Sequence, residues 1–431
     1  MTEVPRSEVI KVNLAASLGT LLEWYDFFVA AFTAALVWPY THLPPGNPVA
    51  AVGAAIAAYG SVFFVRPIAA FIFGHFGDKI GRKNVMVWTL VIMGLGTLGI
   101  GLTPDYNSIG IWAIVLITLF RLVQGLGIGG EWGGAATWVS EFYARGRWRA
   151  LATSFLQAVN PAGQALAALS FFLLLISMPR ADFLSFGWRI AFYVGFIVAI
   201  IGAIIRYKLL ESPLFQKALE RREILKLPAV TVLKEKWATV LLLAAAWQFV
   251  GSMANIMVLT YAGALVPRLG LPSVVHTVGL IIAGLSGFIA NILGGFLGDF
   301  IGRRWTIFIS ALLVIIFTYP FFILILTKDL LQIYLAYALF YLFIFIGYGP
   351  LPAYMSEHFE TKYRFSGNAL AYQIGSVLIG IGTSFILPFV LNYVGNIVNA
   401  WPYVAAIAAG FGILSMIAIF ILKETKASEL K

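Results

Sequence analysis

The chain has 431 residues, of which 61% are hydrophobic and only 11% charged, with a net charge of +10 and a mean hydropathy of +0.91. A soluble domain carries about 25% charged residues, so the composition excludes a soluble globular protein and describes a polytopic membrane chain. There is no cysteine, which removes disulfide frameworks, thiolate catalysis and cysteine-ligated metals.

The first apolar run, 12–38, corresponds to roughly 40 Å of helix, long enough to cross a bilayer with tilt. It holds Glu23 and Asp26, spaced i, i+3 and therefore on one helix face. A charged acid near the bilayer centre costs about 2.5–3.5 kcal/mol on insertion scales. That face is expected to point at an internal cavity. The run is too long and too acidic for a signal peptide and reads as a retained first span.

Eleven further apolar runs follow, at 50–76, 84–103, 109–143, 150–178, 187–209, 237–266, 273–298, 304–327, 330–358, 366–394 and 399–422. The layout is an all-α membrane protein of twelve transmembrane helices in two pseudo-symmetric six-helix bundles. The expected division is 1–209 for the first bundle, 210–236 for a basic linker and 237–431 for the second. With both termini cytoplasmic, Arg180, Arg189, Arg268 and Lys328 fall outside and Arg66 and Arg121 lie at membrane depth, which leaves 23 of the 29 Lys and Arg on the cytoplasmic side. This is the positive-inside pattern. It explains the basic balance by topology, without nucleic acid as a partner.

The chain repeats itself. Gly74-His-Phe-Gly-Asp78-Lys-Ile-Gly81-Arg82-Lys83 recurs 221 residues later as Gly295-Phe-Leu-Gly-Asp299-Phe-Ile-Gly302-Arg303-Arg304. Ser140-Glu141 and Ser356-Glu357 close the fourth and tenth spans in the same way. Two halves that both start from the cytoplasm are parallel repeats about an axis along the membrane normal, with a site at their shared midplane interface. The two loops read as gates: Asp78, Arg82 and Lys83, and Asp299, Arg303 and Arg304, can bridge neighbouring helices and break as the halves rock. Glu141 and Glu357 are grouped with them.

These loops resemble the signature of the major facilitator superfamily. Arg121-Leu-Val-Gln-Gly125-Leu-Gly-Ile-Gly129 is similar to a second pattern of that superfamily, and Glu211-Ser-Pro213 and Glu424-Thr-Lys426 resemble sugar-porter signatures. Glu23-Trp-Tyr-Asp-Phe27, Val65-Arg-Pro67 and Gly129-Gly-Glu-Trp-Gly133 look like its metabolite:proton symporter branch, which includes transporters for shikimate, α-ketoglutarate and proline/betaine. The resemblance covers essentially the whole chain. It implies Arg121 opposite Asp26, as the matching residues meet in sugar-porter relatives.

Helical rise tests that pairing only in part. Counted from the cytoplasmic ends of their spans, Asp26 lies about 21 Å up and Arg121 about 33 Å up. Glu23 and Arg66 both lie near 16 Å and Glu131 near 18 Å, so a three-charge network on the first, second and fourth spans is expected. Three acids (Glu23, Asp26, Glu131) against two bases (Arg66, Arg121) leave one carboxylate without a fixed partner. A group that can be neutral or charged according to the side it faces is what proton coupling requires, with Asp26 the first candidate and Glu23 the second. Alternatively, Arg66 and Arg121 hold a substrate carboxylate.

The second half carries no acid or base at membrane depth. It offers Trp247, Gln248, Asn255, Tyr348, Tyr372 and Gln373, which with Gln157, Asn160 and Gln164 of the fifth span are substrate-cavity candidates. The four histidines are scattered without metal-ligand spacing, and no phosphate-binding glycine loop follows a strand. No metal, cofactor or ATP is expected, and no enzyme chemistry. The reading is a secondary transporter acting as a monomer in the cell membrane, with protons, the lipid bilayer and a small polar or anionic solute (organic acid, amino-acid-like or sugar-like) as its partners. A proton-coupled antiporter or exporter is the alternative, and a non-transporting sensor a more distant one.

Overall fold

A backbone in hydrocarbon must satisfy its own hydrogen bonds, which leaves helices and closed barrels. The computed structural model describes residues 6–45, 48–143, 147–221, 225–426 and 430, and it contains no strand among them. The first bundle comprises α1 (Arg6–Leu36), α2 (Pro48–Gly60, resumed after Ser61 as Val62–Ile80), α3 (Arg82–Leu102), α4 (Trp112–Phe142), α5 (Arg149–Ser177) and α6 (Trp188–Tyr207). The second comprises α7 (Trp237–Trp247, then Asn255–Arg268), α8 (Ser273–Phe300), α9 (Arg303–Leu326), α10 (Leu330–Tyr348, then Leu351–Ser356), α11 (Arg364–Ile381, then Leu387–Val394) and α12 (Trp401–Ile421). Among the described residues nine helices are long and apolar enough to cross a membrane. The acid-bearing α1 and the interrupted α7 and α11 complete the twelve. Both interruptions are π-helical, at Gln248–Ala254 and Gly382–Ile386, a device concentrated at functional sites.

The basic linker expected at 210–236 is partly helical. Two short helices, Pro213–Glu220 and Pro228–Glu235, form there, the first capped by the Ser212 hydroxyl, which accepts from Phe215 N at 3.2 Å.

The bundles meet along two seams, α2 against α11 and α5 against α8. Small residues permit the approach. A Cβ on Gly74 would strike the Ser366 backbone, and one on Gly295 would strike Ser154. α3, α6, α9 and α12 lie outside and turn Trp88, Ile201, Ile316 and Ile417 outward, as a chain solvated by lipid tails does.

The repeat seen in sequence is a repeat of backbone. Gly81 and Gly302 adopt φ of 117° and 116°, a region L side chains rarely enter. Each turns the chain between consecutive spans at the basic end of the bundle, where the positively charged loops lie.

Candidate functional site

At the basic end the two signature loops build matched latches across the seams. Asp78, at the end of α2, accepts from the backbone N–H of Phe365 (3.1 Å) and Ser366 (2.8 Å) at the start of α11. Asp299, at the end of α8, accepts from Ala150 (3.2 Å) and Leu151 (2.8 Å) at the start of α5. Each acid thus caps a helix of the opposite bundle, where orphan N–H groups and the helix dipole favour negative charge. Arg82 lies 3.2 Å from Asp78 and 3.3 Å from Glu141, and Arg303 lies 3.0 Å from Asp299 and 3.1 Å from Glu357. Two arginines that the sequence reading passed over close the set: Arg364 reaches Glu141 at 2.8 Å and Arg149 reaches Glu357 at 2.6 Å, both across bundles. Ser212 donates to Glu141, and Thr425 donates to Glu357 at 2.5 Å. Glu211 accepts from Lys83 N at 3.1 Å, and Glu424 from Arg303 N and Arg304 N at 3.0 Å. Burial pushes the Glu211 carboxyl above the usual range, against the backbone N–H groups of Ser212 and Lys83 and the charge of Arg82.

The membrane-depth charges are arranged differently from the depth count. Glu131 does not join Glu23 and Arg66. It forms a two-point pair with Arg206, Oε1 to Nη2 at 2.6 Å and Oε2 accepting Nη1 at 2.6 Å, and Thr89 adds a bond at 3.0 Å. Arg206 also donates to the carbonyl oxygens of Ala15 and Ala16. By position in the sequence Arg206 belongs with the 23 cytoplasmic bases. It is fully buried, so three acids face three bases and the excess carboxylate disappears from the count.

Asp26 and Arg121 do not touch, which corrects their implied direct pairing. Thr97 donates to Asp26 Oδ2 at 2.5 Å, Gln124 Nε2 donates to Thr97 Oγ1 at 2.8 Å, and Arg121 Nη1 donates to Gln124 Oε1 at 2.6 Å. Arg121 Nη2 also bonds the Tyr59 carbonyl at 3.1 Å. The relay spans the gap that helical rise had left open. Asp26 Oδ1 has no hydrogen-bond partner and packs against Gly195 of α6, where any Cβ would strike it.

Glu23 and Arg66 interact electrostatically, but Glu23 Oε2 and Arg66 Nε and Nη2 have no hydrogen-bond partner. The Arg66 guanidinium lies 5.4 Å from the Phe27 ring centroid and 5.0 Å from that of Phe63. It is the one charged residue on the wall of a central cavity of about 30 Å³, among the described residues. Asn160, Trp247, Tyr348 and Tyr372 line the same cavity. Tyr348 and Tyr372 share a hydrogen bond at 2.8 Å, and each ring is stacked, on Trp247 at 4.7 Å and on Trp132 at 3.8 Å. This volume holds only a water or two, so the bundles are drawn together here as well as at the basic end.

Four other expected cavity residues are engaged in ties between helices. Gln157 accepts from Trp132 Nε1 (2.9 Å), Gln164 accepts from Tyr341 (2.5 Å), Gln248 donates to the Tyr372 carbonyl (2.7 Å), and Gln373 donates to that of Ile128 (3.3 Å). The side chain of Asn255 lies outside the described residues. Sequence reasoning missed the aromatic part of the wall, Trp24, Phe27, Phe28 and Phe63. Their signal was present, since three of them flank Glu23 and Asp26 on α1.

The family model described as Major Facilitator Superfamily matches residues 16–383. The inner membrane metabolite transport protein YhjE of Escherichia coli (strain K12) is 34% identical over 429 residues, covering 97% of this chain and 95% of that protein. The proline/betaine transporter of the same organism is 30% identical, covering 100% of this chain and 87% of that protein. Among solved structures, the proton:xylose symporter XylE bound to 6-bromo-6-deoxy-D-glucose superposes with a TM-score of 0.77 at 21% identity, covering 98% of each chain. With a family model over most of its length and relatives of this similarity end to end, the chain belongs to the major facilitator superfamily of membrane transporters.

Proposed function

We propose that the protein carries a small carboxylate-bearing metabolite together with a proton, by alternating access. The observation that carries this reading is Arg66: a buried cation on the cavity wall with two nitrogens lacking any hydrogen-bond partner. A guanidinium left in that condition is costly unless something completes its bonding, and its planar fork matches a carboxylate. Glu23 beside it and the stacked Trp and Tyr rings suit the remainder of a polar or zwitterionic solute. The relative that handles proline and betaine, both carboxylates, is consistent with this choice.

Asp26 is the proposed proton carrier. Its counter-charge reaches it only through Thr97 and Gln124, so protonation releases Arg121 without breaking a direct ion pair. Arg121 then shifts its hold on the Tyr59 carbonyl, beside the break in α2. Glu23 senses the solute through Arg66. The bundles 1–209 and 237–431 rock about the seams, joined by 210–236, and the latches at Asp78 and Asp299 open when the cavity opens toward the basic end. The lysine and arginine bias puts that end, with both termini, in the cytoplasm. The protein works as a monomer in the cell membrane and draws on the proton gradient, without a cofactor.

Ligand binding to the purified full-length protein tests the anchor. Proline, glycine betaine, shikimate, α-ketoglutarate and xylose are screened by thermal shift, since a ligand of the folded state raises apparent stability. A carboxylate-bearing member should bind, and Arg66→Gln should weaken it by roughly 10–100-fold, the worth of a charged hydrogen-bond pair. Binding of xylose alone, or of a carboxylate equally well by Arg66→Gln, would reject the anchor.

A further inference from the structure

The outer face of the second bundle carries a groove of about 350 Å³ between α9 and α12, walled by Phe308, Ile413, Met416, Ile417, Phe420 and Ile421. No polar side chain lines it. From Ile413 to Ile421 the wall descends about 12 Å, most of one leaflet's hydrocarbon depth of about 15 Å. Its mouth is at the basic end, where Arg304 stands. The guanidinium carbon lies 5.1 Å from the Phe420 ring centroid and 5.2 Å from that of Trp305, and Nη1 donates to the Leu422 carbonyl at 3.2 Å.

Arg304 forms no ion pair with a carboxylate among the described residues, whereas its neighbour Arg303 is committed to Asp299 and Glu357. Among the described residues at the mouth, Arg304 stands with exposed Lys423 and Lys426, the acid between those lysines is Glu424, and the nearby Asp299 and Glu357 are taken up by Arg303. Glu424 is turned to the backbone N–H groups of Arg303 and Arg304, and Lys426 to the Phe300 carbonyl. The balance of these described charges is positive. A cation steadied by two rings, with Trp305 44% exposed at the same level, is interfacial chemistry, and an apolar trough of leaflet depth lies beneath it.

We propose that this groove binds an anionic diacyl phospholipid, with one acyl chain in the trough and the phosphate on Arg304. The first bundle has Lys83 at the matching position, its ammonium 5.8 Å from the Tyr207 ring centroid and bonded to the Tyr207 carbonyl. A lysine offers a point charge where Arg304 offers a fork that fits phosphate oxygens, so the second bundle is the selective side. This inference does not depend on the identity of the solute or on proton coupling.

The test is native mass spectrometry of the full-length protein in detergent, with dioleoylphosphatidylglycerol and dioleoylphosphatidylcholine added in equal amounts. Phosphatidylglycerol should be retained roughly tenfold over phosphatidylcholine. Arg304→Gln should abolish the preference. Ile417→Trp, which fills the trough from a lipid-exposed position (54% exposed) and so leaves the packed interior untouched, should lower phosphatidylglycerol retention by a similar factor. Unfolding midpoints without added lipid establish that both variants are folded. Equal retention of the two lipids, or phosphatidylglycerol retention undiminished in either variant, overturns the proposal.

Discussion

Glu131 and Arg206 join α4 to α6 in a fully buried pair whose remaining polar atoms meet Thr89 and the backbone of α1. Taking one partner away leaves the other charge uncompensated. Glu131→Gln or Arg206→Met alone should destabilise the folded protein by about 3–5 kcal/mol, and the double substitution by much less; urea unfolding in micelles measures this. Asp26 is a second case. Gly195→Ala would push a methyl group onto its free oxygen, so transport should fall severalfold while membrane expression persists, as uptake and immunoblotting report. The acids of α1 were legible in the sequence because two charges in an apolar run have few explanations. Arg206 was not, because an arginine in the last turn of a span looks the same in sequence whether it snorkels to water or turns inward. Only the groove that Gly19 of α1 leaves for its guanidinium distinguishes the two. The Thr97 and Gln124 relay was equally hidden, since neutral polar residues carry no mark of which helix they face.

Elements were read more securely than residues. Apolar length identified all twelve spans, and the 221-residue repeat identified the two loops as equivalent. The latch acids were named from that repeat, but their partners were not. Asp78 and Asp299 cap helices of the other bundle, and a cap across bundles leaves no local pattern. Gly81 and Gly302 hold their turns at positive φ, so Ala at either position should cost about 1–3 kcal/mol, seen as a lower unfolding midpoint. The latches themselves are testable because the chain has no cysteine and one can be introduced cleanly. Ala369 of α11 is fully buried and faces Gly133 of α4. A cysteine there should be slow to react with an impermeant thiol reagent. Adding Asp78→Asn, which weakens charged hydrogen bonds worth about 1.5–3 kcal/mol, should speed that labelling by tenfold or more.

The whole molecule is two similar bundles with unequal shares of buried charge. Every ion pair or charged relay at membrane depth belongs to the first, among the described residues, while the second contributes Trp247, Tyr348 and Tyr372 to the cavity wall. In the proposed account the first bundle handles charge and the second shapes the solute's surroundings, with the seams and latches coupling them. The uneven distribution of acids and bases between the two halves was legible in the sequence. It did not reveal that the acids and bases balance, and balance changes the physical picture of coupling. No carboxylate is left over, so in the proposed account the moving proton is assigned to a group whose counter-charge is held at a distance. Asp26, separated from Arg121 by the neutral side chains of Thr97 and Gln124, is the proposed candidate. The decisive measurement is proton movement in proteoliposomes during uptake of the carboxylate found by the thermal-shift screen. The wild-type protein should alkalinise a weakly buffered exterior as solute enters. Asp26→Asn should abolish the alkalinisation while still exchanging labelled for unlabelled solute. Proton movement by Asp26→Asn equal to that of the wild type would contradict the account.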